Sequence, residues 1–315
     1  MIRALAQLVA LVSLLGVARA DDLSAAVPFA DAPSTEAASE PPAPPTEPAP
    51  EAAPAPTPER RAPPARPRPR RGQVKDTGSG RLDKKEDTVL GGMHWRIKTA
   101  HGAVHVWVPP NYERETAGTV VYVHGYYTDA DGAWRDHHLA QQFKASRQNA
   151  MFIVPDAPSG NEESVKWPAL TDLRKAVTRA NIRLPDGPII VVGHSGAFRT
   201  VMQWVDHRHI DQIILLDAMY SGERKFDEFI KTGKYADRHK LIVVAASTAA
   251  SSKSFANRYK FAVAREKVPS SIEGFSSRER KAKLLYVHSQ YDHMGIVTSK
   301  KVIPVLLRLT RLKAL

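Results

Sequence analysis

The stretch Pro188-Ile189-Ile190-Val191-Val192-Gly193-His194-Ser195-Gly196-Ala197 decides how this chain is read. Its first five residues form an apolar run with the length of a buried strand. Beyond it, Phe198, Val201, Met202 and Val205 recur at helical spacing. Ser195 therefore stands on a turn between a strand and a helix. Strand and helix crowd together at such a turn, and Gly193 and Gly196 meet the need for small residues there. The serine hydroxyl is then held at the head of the sheet. The N–H of Gly196 opens the helix and points where an oxyanion would form. The same residues also fit an ordinary strand–helix turn with a surface serine, so the rest of the chain has to decide.

Around this turn, apolar runs and amphipathic stretches alternate. His94 to Lys98 and Val104 to Val108 alternate apolar and polar residues about Thr99-Ala100-His101-Gly102, which predicts an antiparallel hairpin. Folded structure is expected from near Thr88. Thr119 to Val123, Ala150 to Val154, Ile213 to Leu216, Leu241 to Ala246 and Lys283 to Val287 read as strands, most of them continuously apolar as full burial requires. Leu139 to Gln148, Leu170 to Ile182, Gly196 to Val205, Glu223 to Lys231 and Gly295 to Lys313 read as helices. Pro304 implies a kink or a late start in the last of them. The pattern predicts an α/β domain: a mostly parallel central sheet with helices on both faces. Ligands of such sheets bind beyond the carboxyl ends of the strands.

Reactive residues follow those strand ends: His124-Gly125 after one strand, Ser195 after another, Asp217 after a third and His293 after the last. The order strand–His-Gly, strand–Gly-His-Ser-Gly-Ala–helix, strand–Asp, strand–loop–His resembles the α/β-hydrolase fold over roughly Met93 to Leu315. The resemblance implies a catalytic triad of Ser195 as nucleophile, His293 as base and Asp217 as the acid that orients it. It also implies an oxyanion hole from the backbone N–H groups of Tyr126 and Gly196, with His124, Gly125 and His194 in support. Two positions depart from the family pattern. Ala197 stands where the fifth elbow residue is usually Gly. The acid of the family most often follows the next strand, where Ser247-Thr248-Ala249-Ala250-Ser251-Ser252 offers no carboxylate. Asp217, one strand earlier, occupies the alternative place.

His288 and His194 compete with His293 for the role of base. His288 lies early, just past the last strand, and the side chain of His194 is expected to point away from the elbow. Asp292 reads as a loop acid. The pairs His137-His138 and His207-x-His209 lack the helical His-x-x-x-His spacing of zinc hydrolases, and Asp129-x-Asp131-Gly132 falls short of a calcium loop. No metal or other cofactor is expected. Tyr126, Tyr127, Trp134, Trp167 and Tyr220 lie near strand ends, where they either line a pocket or pack. The long insertion from Thr248 to Arg280 should flank the site and supply a basic rim.

The N-terminal quarter has a different character. Met1 to Ala20 has a basic start at Arg3, an apolar middle from Leu5 to Val17 and Ala18-Arg19-Ala20 before Asp21. It reads as a cleavable secretory signal, too short in its apolar part to span a membrane. Residues 21–72 hold 15 of the chain's 24 prolines. Asp21 to Glu59 carries eight acids and no base, and Arg60 to Arg71 carries six arginines and no acid. Such a segment buries too little surface to offset its ordering entropy and is expected to be disordered. As an extended linker it would reach on the order of 150 Å, and its arginines are candidates to touch anionic envelope polymers or headgroups. Residues 73–315 form the expected catalytic domain and carry the whole formal charge of +12. Their charges are scattered, and nucleic acid is not an expected partner. The absence of Cys excludes disulfides, a thiolate nucleophile and Cys-ligated metals.

Together these readings predict an exported hydrolase, periplasmic or secreted, that cleaves a small-molecule or envelope-derived ester or amide through an acyl-enzyme. A cell-wall amidase or peptidase, and a non-catalytic envelope-binding protein on the same fold, are the alternatives. No transmembrane span is expected in the mature chain.

Overall fold

Five consecutive, fully buried strands form the middle of the structure because their residues are apolar on both faces. The computed structural model describes residues 81–231 and 238–315. The signal, the Pro-rich linker and the expected domain start at Gln73 lie outside the described residues. In chain order the strands are β1 (Lys84–Val89), β2 (Gly92–Thr99), β3 (Gly102–Val108), β4 (Gly118–Val123), β5 (Ala150–Pro155), β6 (Ile189–His194), β7 (Ile210–Leu216), β8 (Lys240–Ala245), β9 (Val263–Arg265) and β10 (Leu284–His288). They make one sheet in the order β1-β2-β3-β5-β4-β6-β7-β8-β10-β9. The pairs β1–β2, β2–β3 and β3–β5 are antiparallel. From β5 across to β9 every pairing is parallel.

Alternate residues of each central strand feed opposite cores. Val121 and Val123, Val191, Ile213 and Leu215 belong to one apolar cluster. Val120 and Tyr122, Ile190 and Val192, Ile214 and Leu216 belong to the other. On the first face the sheet is covered by α3 (Leu170–Arg179), α4 (Phe198–Trp204), α5 (Glu223–Lys231) and α6 (Ala249–Asn257). On the second it is covered by α1 (Ala130–Asp136), α2 (Leu139–Ser146), α8 (Gly295–Thr298) and α9 (Val302–Leu307). Strands buried on both sides must be apolar throughout, which is why they read as unbroken runs. No described helix is long and apolar enough to cross a membrane.

Four details differ from the reading of the sequence. Structure among the described residues begins at β1, before Thr88; its residues are mostly exposed on a sheet edge, so they carry no apolar rhythm. Helix α1 precedes the helix expected at Leu139; Asp129 caps it by accepting the N–H of Gly132 at 2.7 Å. The expected final helix is two helices, and Pro304 sits in the first turn of the second, where its missing N–H has no partner to lose. The insertion from Thr248 to Arg280 is ordered as α6, the edge strand β9 and α7 (Ser277–Lys281), the last begun by a Ser276–Glu279 capping box. Two of its bases are neutralised, Arg258 by Glu223 and Arg265 by Glu279, so it is less of a basic rim than its composition implies.

Candidate active site

The backbone at Ser195 has φ of +53°, a left-handed conformation that only a tight turn imposes on serine. A 3-10 turn, Ser195–Ala197, leads directly into α4. The neighbouring glycines are explained by contact. A Cβ on Gly193 would stand 2.9 Å from Val201 Cγ2 of α4, and one on Gly196 would stand 2.4 Å from the Tyr126 ring.

Asp217 follows β7, with φ of +48°, and is fully buried. Its Oδ1 accepts the N–H of Ala246 at 2.9 Å, the N–H of Thr248 at 2.8 Å and the Thr248 hydroxyl at 2.7 Å. Its Oδ2 accepts the N–H of Ser247 at 3.0 Å and Nδ1 of His293 at 2.6 Å. The loop after β8 thus has no carboxylate of its own because it holds the one from the preceding strand. Burial opposes the charge on Asp217, but the hydrogen bonds from His293, Thr248 and Ala246 outweigh it and hold the carboxyl well below the usual carboxylate range.

His293 completes the chain of contacts. With Nδ1 donating to Asp217, Nε2 is free to accept the Ser195 hydroxyl, whose oxygen lies 2.9 Å away. His194 packs its ring at 4.7 Å from that of His293 and donates from Nε2 to the His293 carbonyl at 3.1 Å. His194 therefore steadies the loop that carries His293. His288, by contrast, ends β10 exposed and pairs with Glu266. Asp292 accepts the N–H of Gly295 at 2.6 Å at the start of α8.

The loop after β4 lies against the turn that carries Ser195. A Cβ on Gly125 would approach Ser195 Cβ to 2.7 Å. His124 is fully buried; Nε2 accepts the N–H of Ala157 at 2.9 Å, so Nδ1 carries the proton and donates to the Gly125 carbonyl at 2.8 Å. That carbonyl and the N–H of Tyr126 belong to one planar peptide and point in opposite directions. Holding the first aims the second. His124→Ala is expected to lower kcat for an ester about 10²-fold with KM little changed, since loss of an oxyanion donor costs about 10²–10³. Steady-state kinetics beside circular dichroism of the variant checks this.

Arg199, which the sequence reading passed over, joins the same loops. It donates to the Tyr126 hydroxyl at 3.1 Å and to the carbonyls of Gly160, Asn161 and Glu163. Its position one helical turn beyond Ser195 was the available signal. The aromatic candidates divide. The Tyr220 ring is half exposed and stands 5.9 Å from that of Phe198. Tyr127 is 96% exposed. Trp134 and Trp167 are taken up in packing, the first stacked on His94 and His105, the second buried with its carbonyl accepting from Trp204. Among the described residues no group of three or more His, Asp or Glu side chains is arranged to hold a metal ion.

Burial holds three imidazoles neutral: it pushes His105 down to about 4, His137 to about 4 and His194 to about 3, each aided by a neighbouring imidazole. The unfolded chain protonates them near the ordinary value of about 6.5. Stability from keeping them neutral is therefore complete above about pH 6.5 and is lost as the pH falls toward 4. Melting temperature is expected to decline below about pH 6.5, ahead of carboxylate titration. A melting series from about pH 7.5 to 4.5 tests this, and a flat profile would contradict it.

The sheet order, with an antiparallel β3 beside β5, β4, β6, β7, β8 and β10 in parallel, brings a serine on a strained strand–helix turn, a buried aspartate and a late histidine to one end. This is the α/β-hydrolase fold. No family model matches the chain, and no curated protein matches it in sequence. Solved structures do resemble it. A mutant of the feruloyl esterase module from Clostridium thermocellum, complexed with sinapinate, is similar at 14% identity over 73% of this chain and 88% of that one, with a TM-score of 0.48. An S-formylglutathione hydrolase from Agrobacterium tumefaciens is similar at 14% identity over 74% and 100%, with a TM-score of 0.43. An esterase from the archaeon Pyrobaculum calidifontis is similar at 13% identity over 72% and 85%, with a TM-score of 0.41.

Proposed function

We propose that this protein is a serine hydrolase that cleaves a carboxylic ester through an acyl-enzyme. The observation that carries the reading is the continuous hydrogen-bonded path from Asp217 through His293 to Ser195. In the proposed reaction, Ser195 Oγ attacks the ester carbonyl carbon as His293 Nε2 takes the hydroxyl proton. The oxyanion is received by the N–H groups of Tyr126 and Gly196. Collapse breaks the bond to the alkoxy group, and His293 returns the proton to it. Water then repeats the sequence, releasing the acid and restoring Ser195. Asp217 fixes the Nδ1–H tautomer and stabilises the imidazolium that forms in each half.

The exposed Tyr220 and Met294, flanking this path, supply apolar surface for the acyl or leaving group. The choice of an ester over an amide rests on analogy with other chemistry hosted by this fold. Export to the periplasm or beyond is part of the proposal and rests on the leader, Met1 to Ala20. A fluorophosphonate probe on the full chain tests the reading. Labelling that vanishes in Ser195→Ala, with turnover of short- or long-acyl nitrophenyl esters, is the expected result. Folded protein that neither labels nor turns over any ester would overturn it.

A further inference from the structure

The amino ends of the strands, opposite Ser195, form a second feature of unusual chemistry. A cleft of about 550 Å³ lies there, lined by Arg238, Lys240, Arg280, Lys281, Lys283 and Arg311. The cations come from distant parts of the chain: the start of β8, the end of α7 with the approach to β10, and the C-terminal segment.

Lys240 is the centre of the cleft. It is the first residue of β8 and only 7% exposed. Its ammonium donates to the carbonyls of Arg280 at 2.7 Å and Leu309 at 3.2 Å. An ammonium has three donors, so one remains. Among the described residues, no carboxylate lies within ion-pairing distance of Lys240, Arg280, Lys281 or Lys283. The one acid at the edge is Asp211, 3.6 Å from Arg238 and 3.9 Å from Arg311, and it serves both arginines. Glu273 influences Arg280 only from a distance. A buried cation without a counter-charge is a costly arrangement that a bound anion relieves. The same burial pushes the Lys240 ammonium down to about 8.

We propose that this cleft is a binding site for a phosphate-type anion, with Lys240 at its floor and Lys283 and Arg311 closing on the charge. Phosphate chemistry suits it better than a single carboxylate for two reasons. The uncompensated charge exceeds one, and the planar guanidinium fork matches phosphate oxygens. The cleft lies at the other end of the strands from Ser195, so ligand capture and ester hydrolysis are separable. A lipid phosphate and a free polyphosphorylated anion share this chemistry.

The test uses the full chain. Sodium pyrophosphate is titrated calorimetrically against a sodium chloride control at matched ionic strength. Saturable binding is expected, weakened at least tenfold in Lys240→Met. The double variant Lys283→Gln/Arg311→Gln, at the rim, gives the same reading if Lys240→Met fails to fold. Ester turnover in the rim variant should equal that of the parent protein. Co-sedimentation with phosphatidylglycerol vesicles, lost in the rim variant, would assign a lipid phosphate; pyrophosphate binding without co-sedimentation would assign the free anion. No binding beyond the chloride control, or equal binding by the rim variant, would overturn the site.

Discussion

Replacing Ser195 by alanine is expected to lower kcat for ester hydrolysis about 10⁶-fold, with the fold unchanged. The magnitude follows from removing the proposed nucleophile of a unit in which loss of one member costs nearly as much as loss of all. The substitution removes one hydroxyl that donates to His293, and it leaves that imidazole partly open to solvent at the strand ends. Ser195 is only partly buried, so no cavity opens. The strained φ of +53° is equally available to alanine at similar cost. Melting temperature should therefore stay within a degree or two of the parent, roughly the shift of a few tenths of a kcal/mol in a domain of this size. Residual turnover near that of water, measured with a nitrophenyl ester beside a thermal melt, is the expected pair of results. Retained turnover would place the nucleophile elsewhere.

Asp217→Asn is expected to lower kcat about 10⁴-fold and also to cost stability. The carboxylate uses both oxygens as acceptors, Oδ1 toward Ala246 and Thr248 and Oδ2 toward Ser247 and His293. An asparagine can keep Oδ1 in place only by turning its NH₂ toward the last two. That NH₂ faces the donor N–H of Ser247 and presses His293 to accept at Nδ1. The proton then resides on Nε2, and the imidazole can no longer take one from Ser195. The unpaired Ser247 N–H adds a desolvation cost of about 1–3 kcal/mol. Kinetics together with a urea midpoint should show both losses. A variant with full activity would remove Asp217 from the proposed mechanism.

Much of the architecture was legible because burial on both faces leaves a strand no choice but apolar residues. The runs at Thr119 to Val123, Ile189 to Val192, Ile213 to Leu216 and Leu241 to Ala245 carry that signature, and each lies in the parallel part of the sheet. Edge elements escaped for the converse reason. Lys84–Val89 is largely open to solvent and Val263–Arg265 is three residues long and only partly buried, so packing imposes no readable pattern on them. Pro304 was readable as a constraint, but only the position of α9 showed that it begins a helix rather than bends one.

At the site, the residue types and their order along the chain pointed to Ser195, Asp217 and His293, because parallel strands deliver their following residues to one end of the sheet. Sequence by itself therefore determined the fold class and the end of the sheet at which chemistry gathers. Tertiary structure alone decided the distances: His293 between Asp217 and Ser195, the three N–H groups after β8 turned onto Asp217, and His194 against the His293 loop. It alone also assembled the cleft around Lys240 from segments some seventy residues apart, since Lys240 donates to Leu309. Local sequence encodes periodicity and turns, which act over a few residues. Hydrogen bonds and charge clusters depend on which distant segments packing brings together, and no short-range pattern records that.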